Sequence, residues 1–317
     1  VYTSVVLKAV IDVGSNSVLL VVSSLDRATW LPVFESSTVT GLGRGTKSTR
    51  LLSDQGMTDT LKAVQQGFRK AKELGCDEIT AAATMAARIA TNTPDFLALA
   101  ASQDTPIWVL SGEEEAELGF RAVADDPLCS LDHCVSIVDV GGHSTELVTA
   151  QRTDGGWKTV FKKSFSIGAL GLREGVLAKD SPGIGETLAA VVEIDDTIGL
   201  RYLPHCCGRV VTLGATGTNL VTIRDGITEW SPDLVHGAEL GYEDVSKSVA
   251  TMFELDDAGR AALPGIEKGR EHTLHVGALI LERFLFAVGA NSSTVSVRGW
   301  RHALLESESQ YNPSFSR

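Results

Sequence analysis

Asp12-Val-Gly-Ser-Asn-Ser-Val-Leu-Leu-Val21 and Asp139-Val-Gly-Gly-His-Ser-Thr-Glu-Leu-Val148 align without a gap, sharing Asp, Val, Gly, Ser, Leu and Val in register. Each copy follows an apolar run (Val5–Val13, Val135–Val140) and leads into another (Val18–Ser23, Glu146–Ala150), so each reads as strand, tight turn, strand. The copies stand 127 residues apart, from 12 to 139. Self-similarity at that distance predicts a duplicated domain, with two related halves facing each other across a cleft.

The surrounding sequence alternates strand-like and helix-like patterns. Asp59–Leu74, Asp95–Ala101 and Glu113–Ala122 have helical spacing, while Glu78–Ala83, Ile107–Leu110 and Val210–Thr212 read as short strands. An α/β fold with mixed sheets follows. A length of 317 residues also suits two domains. The expected division is 1–124 and 125–299, with a C-terminal helix at about 300–317 packing back on the first domain and the crossing near Ala122–Leu128.

Composition narrows the function classes. A net charge of −12 argues against a non-specific nucleic-acid binder, although a local anion site remains compatible with it. The most apolar stretch, Leu274–Ala290, is interrupted by Glu282 and Arg283 and reads as a buried or amphipathic helix rather than a membrane span. No secretory signal is visible, which predicts a cytoplasmic location. Cysteines 76, 129, 134, 206 and 207 lack a disulfide-like spacing and read as reduced thiols. Cys129, His133 and Cys134, and His205 with Cys206 and Cys207, match no zinc signature.

The chemistry gathers in the two loops. In the first, a strand ends at Asp12, Gly14 frees the backbone to turn, and Ser15, Asn16 and Ser17 follow. Successive N–H groups in such a turn make a concave anion site. Asp12 would repel a bare phosphate, so its sensible role is to hold a divalent cation or its water shell. A plain hairpin with Asx-turns is the competing reading. The second loop adds Gly141, Gly142, His143, the hydroxyls of Ser144 and Thr145, and a second carboxylate, Glu146. Asp139 and Glu146 suit Mg2+, which takes few protein ligands and keeps several waters. Glu146 aligns with Leu19, so the second loop is the better metal site.

A third glycine turn, Leu213-Gly-Ala-Thr-Gly-Thr-Asn-Leu220, offers Gly214 and Thr216 to another phosphate or a sugar. Ser111 can cap a helix whose first turn holds Glu113–Glu115, and one of these carboxylates is a candidate general base. Gly41-Leu-Gly-Arg-Gly-Thr-Lys-Ser48 lacks the glycine-lysine step of a Walker A loop, though Arg44 and Lys47 could still meet an anion. No Gly-x-Ser-x-Gly elbow or His-Glu-x-x-His helix occurs.

These motifs resemble, in order, those of exopolyphosphatases and guanosine pentaphosphate phosphohydrolases, within the superfamily of actin, sugar kinases and heat-shock chaperone ATPases. The matching pieces are Ile11–Ser17, Thr84–Arg88 with Asn92, Ser111–Ala116, Val138–Leu147, Ser166–Leu170 and Gly214–Asn219. Arg270 with Gly277–Ile280, and Val295–Arg301, complete them. The resemblance implies two actin-like, ribonuclease H-like domains and hydrolysis of the terminal anhydride of inorganic polyphosphate, of pppGpp, or of both. It implies Glu115 as general base and Arg88 as holder of the terminal phosphate. Asp139 and Glu146 become the Mg2+ (or Mn2+) ligands, and Asn16 with the two loops the phosphate cradle. It also implies a homodimer of the short, two-domain form.

The chain departs from the family pattern at His143, where a third glycine is common, and at Leu19, Met85 and Ala87. If position 143 needs positive φ, the histidine is strained there. Candidate basic contacts to the substrate are Arg44, Lys47, Arg173, Arg270 and Arg301. Two alternatives stay open: a (p)ppGpp- or polyphosphate-binding regulator with little or no turnover, and a small-molecule kinase of the same superfamily.

Overall fold

The computed structural model describes residues 6–26, 29–124, 126–199 and 208–307. The chain forms two compact units. One runs to Leu118 and takes in the segment from Trp300; the other is Gly119–Gly299. The helix Gly112–Ala124 carries the chain through the division. Of the expected C-terminal helix, Trp300–Glu306 is described; 308–317, Val5, His205, Cys206 and Cys207 lie outside the described residues.

The first unit has strands β1 (Val6–Val13), β2 (Ser17–Asp26), β3 (Thr29–Val39), β4 (Glu78–Ala83) and β5 (Trp108–Val109). They lie in the order β3-β2-β1-β4-β5, the first three antiparallel and β4 and β5 parallel to β1. The second unit has β6 (Cys134–Val140), β7 (Thr145–Thr153), β8 (Gly156–Phe165), β9 (Arg209–Leu213), β10 (Glu239–Gly241) and β11 (Ser292–Val295). Its order is β10-β11-β9-β6-β7-β8. Setting β10 aside, order and strand direction repeat those of the first unit.

The repeat extends to irregularities. The β2–β3 register slips between Val22 and Ser23, and the β7–β8 register slips between Thr149 and Ala150, the same positions 127 residues on. A bulge twists the edge strand and blunts it against pairing with another chain. The mixed α/β fold expected from the alternating pattern is therefore the observed one.

The central strands of each sheet bury apolar side chains on both faces. In the first unit Val64 and Phe68 of the helix Asp54–Glu73 join Ile11 and Phe96 in one core, and that helix starts five residues before its expected position because the Ser53 side chain accepts from Gly56 N. In the second, the helix Leu274–Ala287 is buried along nearly its whole length, and Phe284 packs edge-on against Phe165 at 5.2 Å. Among the described residues no helix is long and apolar enough to cross a membrane.

Candidate active site

Both glycine loops close the same way. Gly14 N donates to Ser17 O, and Gly141 N donates to Ser144 O, each at 2.9 Å. A Cβ on Gly14 would stand 3.0 Å from Ser17 O, and one on Gly141 2.9 Å from Ser144 O, so each turn requires glycine there. The inner carbonyls face away from the turn. Ser15 O and Asn16 O accept from Gly43, Thr40 and Gly41; Gly141 O and Gly142 O accept from Ala169, Leu170 and Gly171. A trans peptide points its N–H opposite its C=O, so the amides of residues 16–17 and 142–143 turn to the other side. That geometry suits an anion nest in each unit.

The loop Gly41–Ser48 thus does its work through its main chain: it braces the first nest. Gly41 has φ of 66°, and the Arg44 side chain folds over it. In the second nest Thr145 is fully buried and its hydroxyl donates to Ile167 O at 2.8 Å, so it anchors the loop and is not the phosphate donor expected. His143 is 4% exposed and has no positive φ; among the described residues only Arg50 and Asp104 do so without being glycine. The expected strain at His143 is absent.

Asp12, Ser15, Asn16, Ser17 and Ser144 are all buried polar residues of these loops. Asn16 Nδ2 is buried without a hydrogen-bond partner among the described residues, a desolvated donor that an anionic oxygen would satisfy. Ser15 Oγ accepts from Ala86 N, tying the first nest to the helix Met85–Ile89. That helix follows β4 directly: Thr84 N donates to Val13 O, at the end of the neighbouring strand.

The helix presents Arg88 to the segment that follows β5. Arg88 Nη1 donates to Leu110 O at 2.7 Å and to Glu115 Oε2 at 2.8 Å. Its Nη2 meets Met85 Sδ at 3.6 Å, a weak acceptor. Ser111 and Glu114 form a reciprocal cap: Ser111 N donates to Glu114 Oε2, and Glu114 N to Ser111 Oγ. Glu114 is thereby committed to the cap, Glu113 and Glu117 are exposed, and Glu115 is the carboxylate aimed at Arg88. Burial pushes the Glu115 carboxyl above the usual carboxylate range, and the adjacent guanidinium opposes the rise without cancelling it. A poised carboxylate beside a fixed arginine is the equipment of a general base and a phosphate clamp.

In the second unit Asp139 on β6 pairs in register with Glu146 on β7, and Glu146 is 2% exposed. Directly opposed residues of an antiparallel pair share a face, with Cβ atoms about 5 Å apart. Gly214, φ 78°, begins the helix Gly214–Asp225, and a Cβ there would stand 2.6 Å from Asp139 Oδ1. Two hard-oxygen carboxylates on one face fit Mg2+ or Mn2+, which needs few protein ligands. Thr216 lies against Gly277 of the helix Leu274–Ala287, where a Cβ would stand 2.6 Å from its hydroxyl oxygen. It packs that helix close.

Other sequence candidates have internal employment. Arg173 donates to Leu177 O, Ala178 O, His272 O and Asp257, which corrects its reading as a substrate contact. Arg270 pairs with Glu267 at 3.0 Å. Asn92 clips Leu52 through both its backbone N–H and its carbonyl.

A model of the Ppx/GppA phosphatase family matches residues 21–312. The chain belongs to the Ppx/GppA phosphatase family. The protein named exopolyphosphatase 2 of Mycobacterium tuberculosis is 27% identical over 287 residues, 86% of this chain and 88% of that protein. The crystal structure of the Aquifex aeolicus member of the family superposes with a TM-score of 0.78 at 26% identity, covering 96% of this chain and 97% of that one. An exopolyphosphatase structure from Cytophaga hutchinsonii, 20% identical, shares the fold with a TM-score of 0.84 over 94% of this chain and 96% of that one. The Ppx/GppA fold is the two-domain, actin-like one, and the repeated sheets described above are its two halves.

Proposed function

We propose that this chain is an exopolyphosphatase that removes the terminal phosphate of inorganic polyphosphate, and of pppGpp, which ends in the same anhydride. The observation that carries the reading is the Arg88–Glu115 pair, 2.8 Å apart and set beside an anion nest through Ser15 and Ala86. The M. tuberculosis relative named an exopolyphosphatase supports the substrate class.

Water attacks the terminal phosphorus, the bond from that phosphorus to the bridging oxygen breaks, and the water proton passes to Glu115 Oε. Arg88 can serve both partners at once. Nη1 holds Glu115, while Nη2, facing only the Met85 thioether among the described residues, turns to a terminal phosphate oxygen. The N–H nest of the first unit binds and orients the phosphates beside Arg88 and Glu115, and alignment with charge neutralisation is most of what phosphoryl transfer requires. Asp139 and Glu146 would hold Mg2+, which when bound neutralises charge developing on the phosphate oxygens.

The test is phosphate release from polyphosphates of graded length and from pppGpp, with and without Mg2+, for the wild type and Glu115→Gln. Loss of a general base costs about 100-fold or more in kcat. Wild-type turnover by Glu115→Gln would overturn the assignment of the base. Phosphate transfer from ATP to an acceptor, in place of release to water, would overturn the reaction class.

A further inference from the structure

Asp139, Glu146 and Ser164 form a row across β6, β7 and β8, each residue paired in register with the next. The row has a counterpart in the first unit at the same 127-residue offset: Asp12, Leu19 and Ser37 across β1, β2 and β3. The two serines occupy equivalent places and differ in what they oppose. Ser37 faces Leu19 and is exposed; Ser164 faces Glu146 and is half-buried.

Ser164 Oγ donates to Glu146 Oε1 at 2.6 Å, the length of a charge-assisted O–H···O− bond. Its neighbours on β8, Lys162 and Lys163, are exposed, so this inward contact is particular to position 164. A glutamate has three side-chain torsions, and a carboxylate that is to meet a cation with Asp139 must hold one of its rotamers. A bond to Oε1 fixes the plane of the carboxylate. Such outer contacts tune metal affinity by about 10–100-fold.

We propose that Ser164 is a positioning residue for Glu146, fixing its carboxylate for a divalent cation held with Asp139. This rests on the reading of Asp139 and Glu146 as cation ligands given above. In the first row Leu19 stands in the place of Glu146, so Ser37 faces no carboxylate there.

The experiment is Mn2+ titration of the full chain without substrate, followed by electron paramagnetic resonance, with unfolding temperature and the Mn2+ dependence of phosphate release measured alongside. Ser164→Ala should weaken Mn2+ binding about tenfold or more and raise the Mn2+ concentration giving half-maximal turnover by a similar factor. Turnover at saturating Mn2+ should largely recover. Ser37→Ala should bind as the wild type does. Ser164→Thr and Ser164→Val have nearly the same shape and both suit a strand, so they separate hydroxyl from packing even if Ser164→Ala unfolds. Threonine should keep the affinity and valine lose it. Equal Mn2+ affinity in these two variants, with Glu146→Gln defective, overturns the role of Ser164 and leaves the cation site standing. Unchanged Mn2+ binding in Glu146→Gln overturns the cation site itself, and Ser164 with it.

Discussion

Gly168 controls the second nest from outside it, and replacing it with alanine tests the loop geometry directly. Its φ of −158° and ψ of 163° are extended values that any residue adopts, so alanine brings no backbone strain. The obstacle is steric. A Cβ at 168 would stand 2.5 Å from both Gly142 C and His143 N, and 2.6 Å from Gly142 O. All three are backbone atoms, which cannot swing aside as a side chain can. Reaching ordinary contact near 3.4 Å moves the loop back by about 0.9 Å. The bond from Leu170 N to Gly142 O, now 2.8 Å, would then stretch beyond hydrogen-bonding range. Overpacking of this kind costs about 1–3 kcal/mol, and each weakened hydrogen bond about 1 kcal/mol more. The expected loss is roughly 2–4 kcal/mol in the second unit, or about 5–15 °C in its unfolding temperature. A nest displaced by about 1 Å should lower kcat/KM on the order of 100-fold. Gly185→Ala is the control, since nothing lies within 4 Å of its Cβ position and it sits in the helix Ile184–Ile198. Scanning calorimetry and phosphate release provide the readings. A Gly168→Ala protein within threefold of wild-type kcat/KM and within 2 °C of its unfolding temperature would refute the account of the nest.

His275 is fully buried against the Phe253 ring, and burial, helped by Arg260 and Arg173, pushes its imidazole down to about 3. The folded value lies below the unfolded one, so between them the unfolded chain binds the extra proton and stability falls as pH falls. The loss should be roughly 2–3 kcal/mol between pH 6.5 and 4.5. Urea titrations should find it in the wild type and not in His275→Leu; equal slopes would refute it. Arg260 is fully buried and donates to the carbonyls of Met252, Leu255, Glu271 and Asp180 and to the carboxylates of Asp180 and Asp257. Lys cannot reproduce that fork, so Arg260→Lys should cost about 3 kcal/mol or more, seen as a lower urea midpoint. Burial and nearby Asp132 push the buried Cys129 thiol up to about 11. Iodoacetamide at pH 8 should therefore label Cys129 only after unfolding, as peptide mass spectrometry would report.

Local signals carried the parts of the fold that the sequence made legible. The two strand-turn-strand copies, β4 at Glu78–Ala83, and the cap at Ser111 each depend on residues adjacent in the chain. The outer strands β3 and β8 were not legible. Both lie at sheet edges with exposed residues on either face: Leu31 and Val33 in one, Val160 among lysines in the other, so no clean alternation marks them. The helix Ile184–Ile198 was missed for a similar reason, since Ile184, Leu188 and Val192 point to solvent. In the site, Glu115, Arg88 and the paired carboxylates could be named from motifs. The bracing of the first nest by residues 40–43 could not, because main-chain bonds carry it. Nor could Ser164, whose meaning depends on the register of a third strand, or Thr145, whose hydroxyl is taken up by a carbonyl 22 residues away.

The return of the chain to the first unit at Trp300 bears on how the protein is made. The helix Trp300–Glu306 packs against β1, and Lys8 Nζ donates to Ser307 O across 299 residues of sequence. A ribosome therefore releases every residue of Gly119–Gly299 before the first unit has the helix Trp300–Glu306. The later-synthesised unit can finish folding while the earlier one still exposes the side of β1 that this helix covers. Truncation at the C-terminus would accordingly injure the N-terminal half, and a stalled nascent chain would present the holding chaperones with its oldest residues rather than its newest.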